Sequence, residues 1–211
     1  MPNHPFSDDL RATIQTRLNT FDAQDADDPS LRRAAVAIVV TRYPERHDAS
    51  VLVTLRPEKL NRHGGQFALP GGRLDEGETE EQAALRELEE ELGLTLSPDA
   101  IMGRLDHFTT RSGFRMAPIV MWGGDNPRLQ PDPSEVAELF HLSFTELDSP
   151  DIPRLIASDT GDHPILSAFF PSIGHTMYAP TAAILYQFRE IALRGQTTRA
   201  AHYEHPSFAW R

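Results

Sequence analysis

Residues 34–41, Ala-Ala-Val-Ala-Ile-Val-Val-Thr, are apolar almost without a break and rich in β-branched side chains. A strand of this kind has no polar face to offer water. It therefore predicts a position inside a sheet that is covered on both sides. Val51–Leu55 reads as a second strand after a polar loop at 43–50. The stretch 56–72, dense in glycine and proline, reads as a long functional loop around a short strand. Glu80–Leu92 has helical spacing and is stopped by Gly93. Residues 103–110 and 116–123 read as strands joined at 111–114, and 131–143 as a loop passing into a strand. Residues 144–149 suggest a helical turn, and 181–193 a helix with Pro180 near its first turn. At the N-terminus, Leu10, Ile14, Leu18 and Phe21 share one helical face behind Ser7, and an acidic turn follows at 23–30. Strands and helices mixed in this way predict a layered α/β domain.

Bulk properties narrow the function. A chain of 211 residues with 39% apolar and 24% charged side chains suits one sizeable soluble core. No apolar run reaches membrane-spanning length, and the polar N-terminus is no secretory signal, so no membrane role is expected. Cysteine is absent, which excludes disulfides, thiolate metal sites and a cysteine nucleophile, and fits a cytoplasmic setting. A formal net charge of −11 repels phosphate backbones, so nucleic acid is not the expected partner. A small anionic substrate remains open if local basic residues or metal ions receive it. Lys59 is the only lysine; the other basic side chains are arginines, whose forked guanidinium suits phosphate.

The chemistry is concentrated in residues 71–94, GGRLDEGETEEQAALRELEEELGL. On a helical wheel Ala84, Leu85, Leu88 and Leu92 form one face, predicted to pack on the sheet. Glu87, Glu90 and Glu91 fall together on another side at i, i+3 and i+4, where like charges repel. Taken alone, a glutamate-rich helix is most simply a solvated acidic face. A hard divalent cation with a preference for carboxylate oxygen turns the same cluster into an attractive site.

The segment resembles the Nudix box, G-x5-E-x7-R-E-U-x-E-E-x-G-U, with U aliphatic. Gly72, Glu78, Arg86, Glu87, Glu90, Glu91 and Gly93 fill every fixed position, and Leu88 and Leu94 the aliphatic ones. The resemblance implies a Nudix-type α/β/α sandwich with a mixed sheet, carrying a pyrophosphohydrolase. It implies that Glu87, Glu90 and Glu91, with the Gly72 carbonyl, ligate Mg²⁺ or Mn²⁺. Arg86 would then hold Glu78 and Glu87, and Gly93 would end the helix at positive φ. Glu91, or Glu135 in the loop PDPSEVAE, is the candidate base for the attacking water.

The preceding segment, LVTLRPEKLNRHGGQFALPGG (52–72), resembles the motif of the coenzyme A pyrophosphatase branch of this family. Leu52, Thr54, Arg56, Gly65, Pro70, Gly71 and Gly72 match; Val53, Pro57, Asn61 and Leu69 depart from it. Further likeness to the branch runs through 103–120, 131–147 and 175–185. The implied reaction is hydrolysis of coenzyme A or an acyl form to 3′,5′-adenosine bisphosphate and a 4′-phosphopantetheine. Arg56, Lys59, Arg62 and Arg73 are the candidate phosphate partners, and Gly65 allows close approach of the backbone. Phe108, Phe114 and Trp122 are candidates to stack a base, each with a core position as the plainer reading. ADP-ribose or NADH is the alternative substrate, and a nucleotide-sensing module without turnover is a third reading. The expected organisation is an N-terminal helix and linker (1–30), a catalytic domain (31–195) and a tail (196–211). A homodimer fits the resemblance.

Overall fold

The computed structural model describes residues 4–59, 64–158 and 163–204. In chain order its elements are α1 (Asp8–Thr20), β1 (Arg32–Arg42), β2 (Ala49–Leu55), β3 (Phe67–Ala68), β4 (Gly71–Arg73) and α2 (Glu80–Leu92). There follow β5 (Ile101–Arg104), β6 (Phe108–Thr109), β7 (Phe114–Gly124), β8 (Glu138–Ser143) and α3 (Phe144–Leu147). The chain then forms β9 (Arg154–Ile156), β10 (Ile165–Phe170), β11 (His175–Tyr178) and α4 (Thr181–Phe188).

The apolar run does become the centre of the main sheet. β1 pairs in parallel with β7 along its length and antiparallel with β2 and β4 on its other side, which makes the sheet mixed. Its side chains alternate between two cores. Ala35, Ala37 and Val39 pack with Ala84, Leu88 and Leu92 of α2. Val36, Ile38 and Val40 face the opposite core, which holds Ile14 and Leu18 of α1 together with side chains of α4, β10 and β11. Each buried valine, leucine and isoleucine among these contributes roughly 1.5–3 kcal/mol of transfer free energy. The result is the expected α/β/α sandwich, with α2 on one face of the sheet and the helix at 181–193 on the other.

One topological feature positions the site. β1 and β2 pair only where Val40–Arg42 meets Ala49–Val51. Beyond that the strands part, and residues 67–73 fill the gap, β3 pairing with Thr54–Leu55 and β4 with Ala34–Val36. The amide of Ala37 donates to the Pro70 carbonyl at 2.8 Å and closes the join. Glycine is required at 71, where a Cβ would lie 2.7 Å from the Val36 Cα. The glycine-rich loop of the sequence is therefore a wedge inserted between two central strands.

Several expectations are corrected. The single strand read at 103–110 is broken into β5 and β6, because Gly103 takes φ 145° and Asp106 is buried. The Asp106 carboxylate receives hydrogen bonds from the Gln24 amide and the Gln187 side chain and pairs with Arg199, which takes this stretch out of the ladder. The helix at 181–193 is α-helical to Phe188 and finishes as a turn of π-helix at Arg189–Leu193. The three-stranded sheet β11-β10-β9 was not anticipated from sequence. Among the described residues, no helix is long and apolar enough to cross a membrane.

Candidate active site

α2 begins in a capping box. Thr79 accepts from the Gln82 amide at 3.2 Å while the Gln82 side chain accepts from the Thr79 amide at 2.9 Å. It ends at Gly93, φ 62°, whose amide donates to the Glu89 carbonyl. Ala83, Ala84, Leu88 and Leu92 are buried against the sheet, whereas Leu85 of the predicted face is only half-buried. That rotation drives Glu91 into the protein as well. Glu91 is buried, Glu87 intermediate and Glu90 exposed. The three carboxylates thus form a gradient from interior to solvent instead of one wet face.

The environment of Glu91 is unusual for a carboxylate. Its nearest cationic partner is the Arg56 Nη1, 3.9 Å from Oε1. Burial pushes the Glu91 carboxyl up to about 8; Arg56 opposes this, and Glu87 and Glu135 reinforce it by repulsion. Burial likewise pushes Glu87 up, against the pull of Arg86 and with repulsion from Glu90 and Glu135. Glu135 is carried close by its loop: Asp132 donates its amide to the Glu91 carbonyl at 2.9 Å, and the Glu135 amide donates to the Asp132 carbonyl at 3.0 Å.

Arg86 organises the outer part. Its Nε and Nη2 donate to the two Glu78 oxygens at 3.0 and 3.1 Å, and its Nη1 to Glu87 at 2.8 Å and Glu90 at 2.9 Å. Its Nη2 also donates to the Arg73 carbonyl at 2.9 Å, which fastens α2 to β4. The Glu78 bond is the leading cause that raises the Arg86 pKa. The Glu90 pair was not foreseen in the sequence, although the i, i+4 spacing carries it. Gly72 completes the arrangement, since a Cβ there would lie 2.5 Å from the Glu87 carboxyl carbon.

The candidate residues separate into groups. Gly72, Glu78, Arg86, Glu87, Glu90, Glu91, Arg56 and Glu135 converge at the junction of α2, β4 and the 130–136 loop. Gly65, at φ 69°, donates its amide to the Arg56 carbonyl and closes the loop behind Arg56; Lys59 is exposed on it. Arg62 lies outside the described residues, as do Asn61 and His63. Arg73 points to the other face of the sheet. Of the candidate stacking aromatics, Phe108 is buried and Trp122 lies under Phe6 at 4.4 Å, which leaves Phe114.

Sequence reasoning missed a second charged cluster, at the start of α2. Glu80 accepts from His107 Nε2 at 3.0 Å and pairs with Arg33 and Arg115 at 3.6 and 3.8 Å. The Ala26 amide donates to His107 Nδ1, which fixes the Nε2–H tautomer. No motif links Arg33, Glu80, His107 and Arg115; only the strand register brings them together.

The donor set at Glu87, Glu90 and Glu91 suits a hard divalent cation. It offers carboxyl oxygens, includes a buried carboxyl at Glu91 with one cation at 3.9 Å, and sits beside a glycine with no side chain to fill the space. Among the described residues no three acidic or histidine side chains stand together as a metal-holding group, so Glu87, Glu90 and Glu91 would have to draw closer around a cation. The hydrogen bond between Glu90 and Arg86 is what a cation would have to exchange.

The NUDIX domain model matches residues 31–160, and the chain belongs to this family. The Nudix hydrolase NudL of Yersinia enterocolitica, described as uncharacterized, is 37% identical over 114 residues, 54% of this chain and 57% of that protein. NudL of Yersinia pestis is 36% identical over 116 residues, with the same shares. The match thus spans little more than half the length of these relatives. Among solved structures, a MutT protein from Methanosarcina mazei superposes with a TM-score of 0.44 at 21% identity, covering 61% of this chain and 83% of that one. A MutT/nudix family protein from Enterococcus faecalis gives a TM-score of 0.46 at 21% identity, covering 75% and 55%.

Proposed function

We propose that this protein hydrolyses the diphosphate bond of coenzyme A or acyl-coenzyme A with Mg²⁺ or Mn²⁺. The products are 3′,5′-adenosine bisphosphate and (acyl-)4′-phosphopantetheine. The observation that carries the reading is the buried carboxylate of Glu91, left without a close cationic partner beside Glu87, Glu135 and the side-chain-free Gly72.

Glu87, Glu90, Glu91 and the Gly72 carbonyl would hold the cation, which supplies charge neutralisation on the diphosphate and a water ionised near neutral pH. Arg86 is a positioning residue: one guanidinium spans Glu78, Glu87 and Glu90 and sets their spacing against β4. Glu91, or Glu135 beside it, would take the proton of the attacking water. An acceptor in that role needs an affinity for protons that is not far below the working pH. Arg56 and Lys59, with Arg62 three residues further along the sequence, would provide positive charge for the phosphates, and Gly65 would let the backbone approach them. Support for coenzyme A itself comes from the motif match at Leu52, Thr54, Arg56, Gly65, Pro70, Gly71 and Gly72.

The test is product analysis by mass after incubation with magnesium and, separately, coenzyme A, acetyl-coenzyme A, ADP-ribose and NADH. Release of 3′,5′-adenosine bisphosphate, fastest from the coenzyme A compounds, is the expected result. Turnover of only ADP-ribose or NADH would keep the chemistry and discard the coenzyme A assignment. That is the outcome to which the departures at Pro57 and Asn61 would lead.

A further inference from the structure

Residues 130–135, QPDPSE, are fastened to the end of α2 by alternate amides. Pro131 and Pro133 have no N–H, so Gln130 and Asp132 are the only main-chain donors over 130–133. Both donate to the helix, Gln130 to the Leu92 carbonyl at 2.8 Å and Asp132 to the Glu91 carbonyl at 2.9 Å. The last carbonyls of an α-helix have no partner within it, and here the loop serves two of them. The approach is close: a Cβ at Gly93 would lie 3.0 Å from the Gln130 Cβ. Beyond the loop, Val136 is buried in the core that holds Leu92, and the Ala137 amide donates to the Leu55 carbonyl at 2.8 Å.

The residue that closes α2 also opens the next turn. Asp132 Oδ1 accepts from the Ser134 amide at 2.8 Å, and the Asp132 carbonyl accepts from the amides of Glu135 at 3.0 Å and Val136 at 2.8 Å. Asp132 thus caps a single turn in which Pro133, Ser134 and Glu135 take the first three positions. In a capping box the side chain at the third position reaches back to the amide of the cap, as Gln82 does to Thr79. The Asp132 amide is already held by the Glu91 carbonyl, so Glu135 has no such donor to fold back on. Among the described residues no hydrogen bond or ion pair engages the Glu135 carboxylate. It is exposed, and its charge reaches both Glu87 and Glu91.

We propose that Asp132 is the positioning residue for Glu135: its amide on Glu91 and its carboxylate on Ser134 keep the Glu135 carboxylate free and hold it toward Glu87 and Glu91, where it takes the proton of the attacking water. The proposal rests on the reading of a metal-dependent diphosphate hydrolase. Of the two carboxylates offered there for the proton it selects Glu135, and Glu91 is left to the cation. Asp132 itself touches neither substrate nor metal. Its main-chain half survives a change of side chain; the Ser134 cap does not, and that is the half a substitution can remove.

The test is a double-mutant cycle in the full chain between Asp132→Ala and Glu135→Gln. It is read on kcat for coenzyme A with magnesium and, without substrate, on Mn²⁺ affinity by electron paramagnetic resonance. Asp132→Ala should lower kcat about tenfold, with KM within about twofold of the parent. It should also weaken Mn²⁺ about threefold, because one carboxylate charge moves away from the cation. Asp132→Asn, whose side-chain oxygen accepts from Ser134 as the carboxylate does, should bring both quantities back to within about twofold. In the Glu135→Gln background Asp132→Ala should change neither by more than about 1.5-fold. A loss that persists in full in that background, or no recovery in Asp132→Asn, would overturn the positioning. Parental kcat in Glu135→Gln would overturn it too. If no diphosphate compound is turned over, the proposed hydrolysis fails, and the Mn²⁺ cycle still decides whether Asp132 places Glu135.

Discussion

Glu80 and Glu91 lie on one helix, three turns apart, and the fold treats them in opposite ways. Glu80 is half-buried, but His107, Arg33 and Arg115 surround it. Burial alone would raise its carboxyl; the His107 hydrogen bond and the charges of Arg33 and Arg115 outweigh that and hold it below its ordinary value. Glu91 is more deeply buried, has only Arg56 at 3.9 Å, and is pushed up. One end of α2 is a closed electrostatic network that secures the helix to β1, β7 and the N-terminal linker. At the other end Glu91 is buried with a single cation, Arg56, at 3.9 Å, and holds its proton more tightly than an ordinary carboxyl. Burying a carboxyl with so little compensation is a cost to stability, and such costs persist where a ligand relieves them.

The contrast can be broken most forcefully at the carboxylates. Glu91→Gln and Glu90→Gln should each lower turnover by about 100-fold or more, read as kcat/KM with magnesium. In Glu91→Gln the rise in melting temperature that magnesium gives the parent should also disappear. Unaltered activity in both variants would remove the proposed metal site. Arg86→Lys comes next, because a single ammonium cannot span Glu78, Glu87 and Glu90 as the fork does. A loss of about 10–100-fold in activity or metal affinity is expected. Gly72→Ala places a Cβ against the Glu87 carboxylate. It should weaken magnesium binding while the far-ultraviolet circular dichroism stays that of the parent.

Glu80→Gln sharpens the comparison from the other side. It should leave turnover close to the parent and cost about 1–2 kcal/mol of stability in denaturant unfolding, the scale of a lost charged hydrogen bond. The pH dependence has a definite sign. The folded-state pKa of Glu80 lies below 4.5, so its stabilisation is present above 4.5 and is lost as pH falls through the folded value. The parent should lose more stability than Glu80→Gln on acidification below pH 4.5. Equal acid sensitivity would show that the Glu80 network does not secure the helix.

Much of this was legible because local signals coincided. α2 was read over Glu80–Leu92 with Gly93 as its stop, although its Thr79–Gln82 capping box was not, and the central strand was read from its unbroken apolar run. The box residues of the site were readable as a pattern, though not their depths. Helical periodicity put Glu91 with Glu87 and Glu90, and only the wedge of β4 over the helix buries it. The Glu80 network was invisible because its members come from four separate stretches of chain. The strands β9, β10 and β11 were missed because two of them are only three and four residues long, with polar or exposed side chains and weak alternation. The break between β5 and β6 depends on the buried Asp106, whose partners Gln24, Gln187 and Arg199 are distant in sequence.

The most direct measurement is a Mn²⁺ titration followed by electron paramagnetic resonance on the parent, Glu91→Gln and Glu80→Gln. Saturable binding in the parent, retained in Glu80→Gln and lost or weakened at least about tenfold in Glu91→Gln, is the predicted result. Equal Mn²⁺ affinity in all three proteins would contradict the assignment of the Glu91 end of α2 as the cation site.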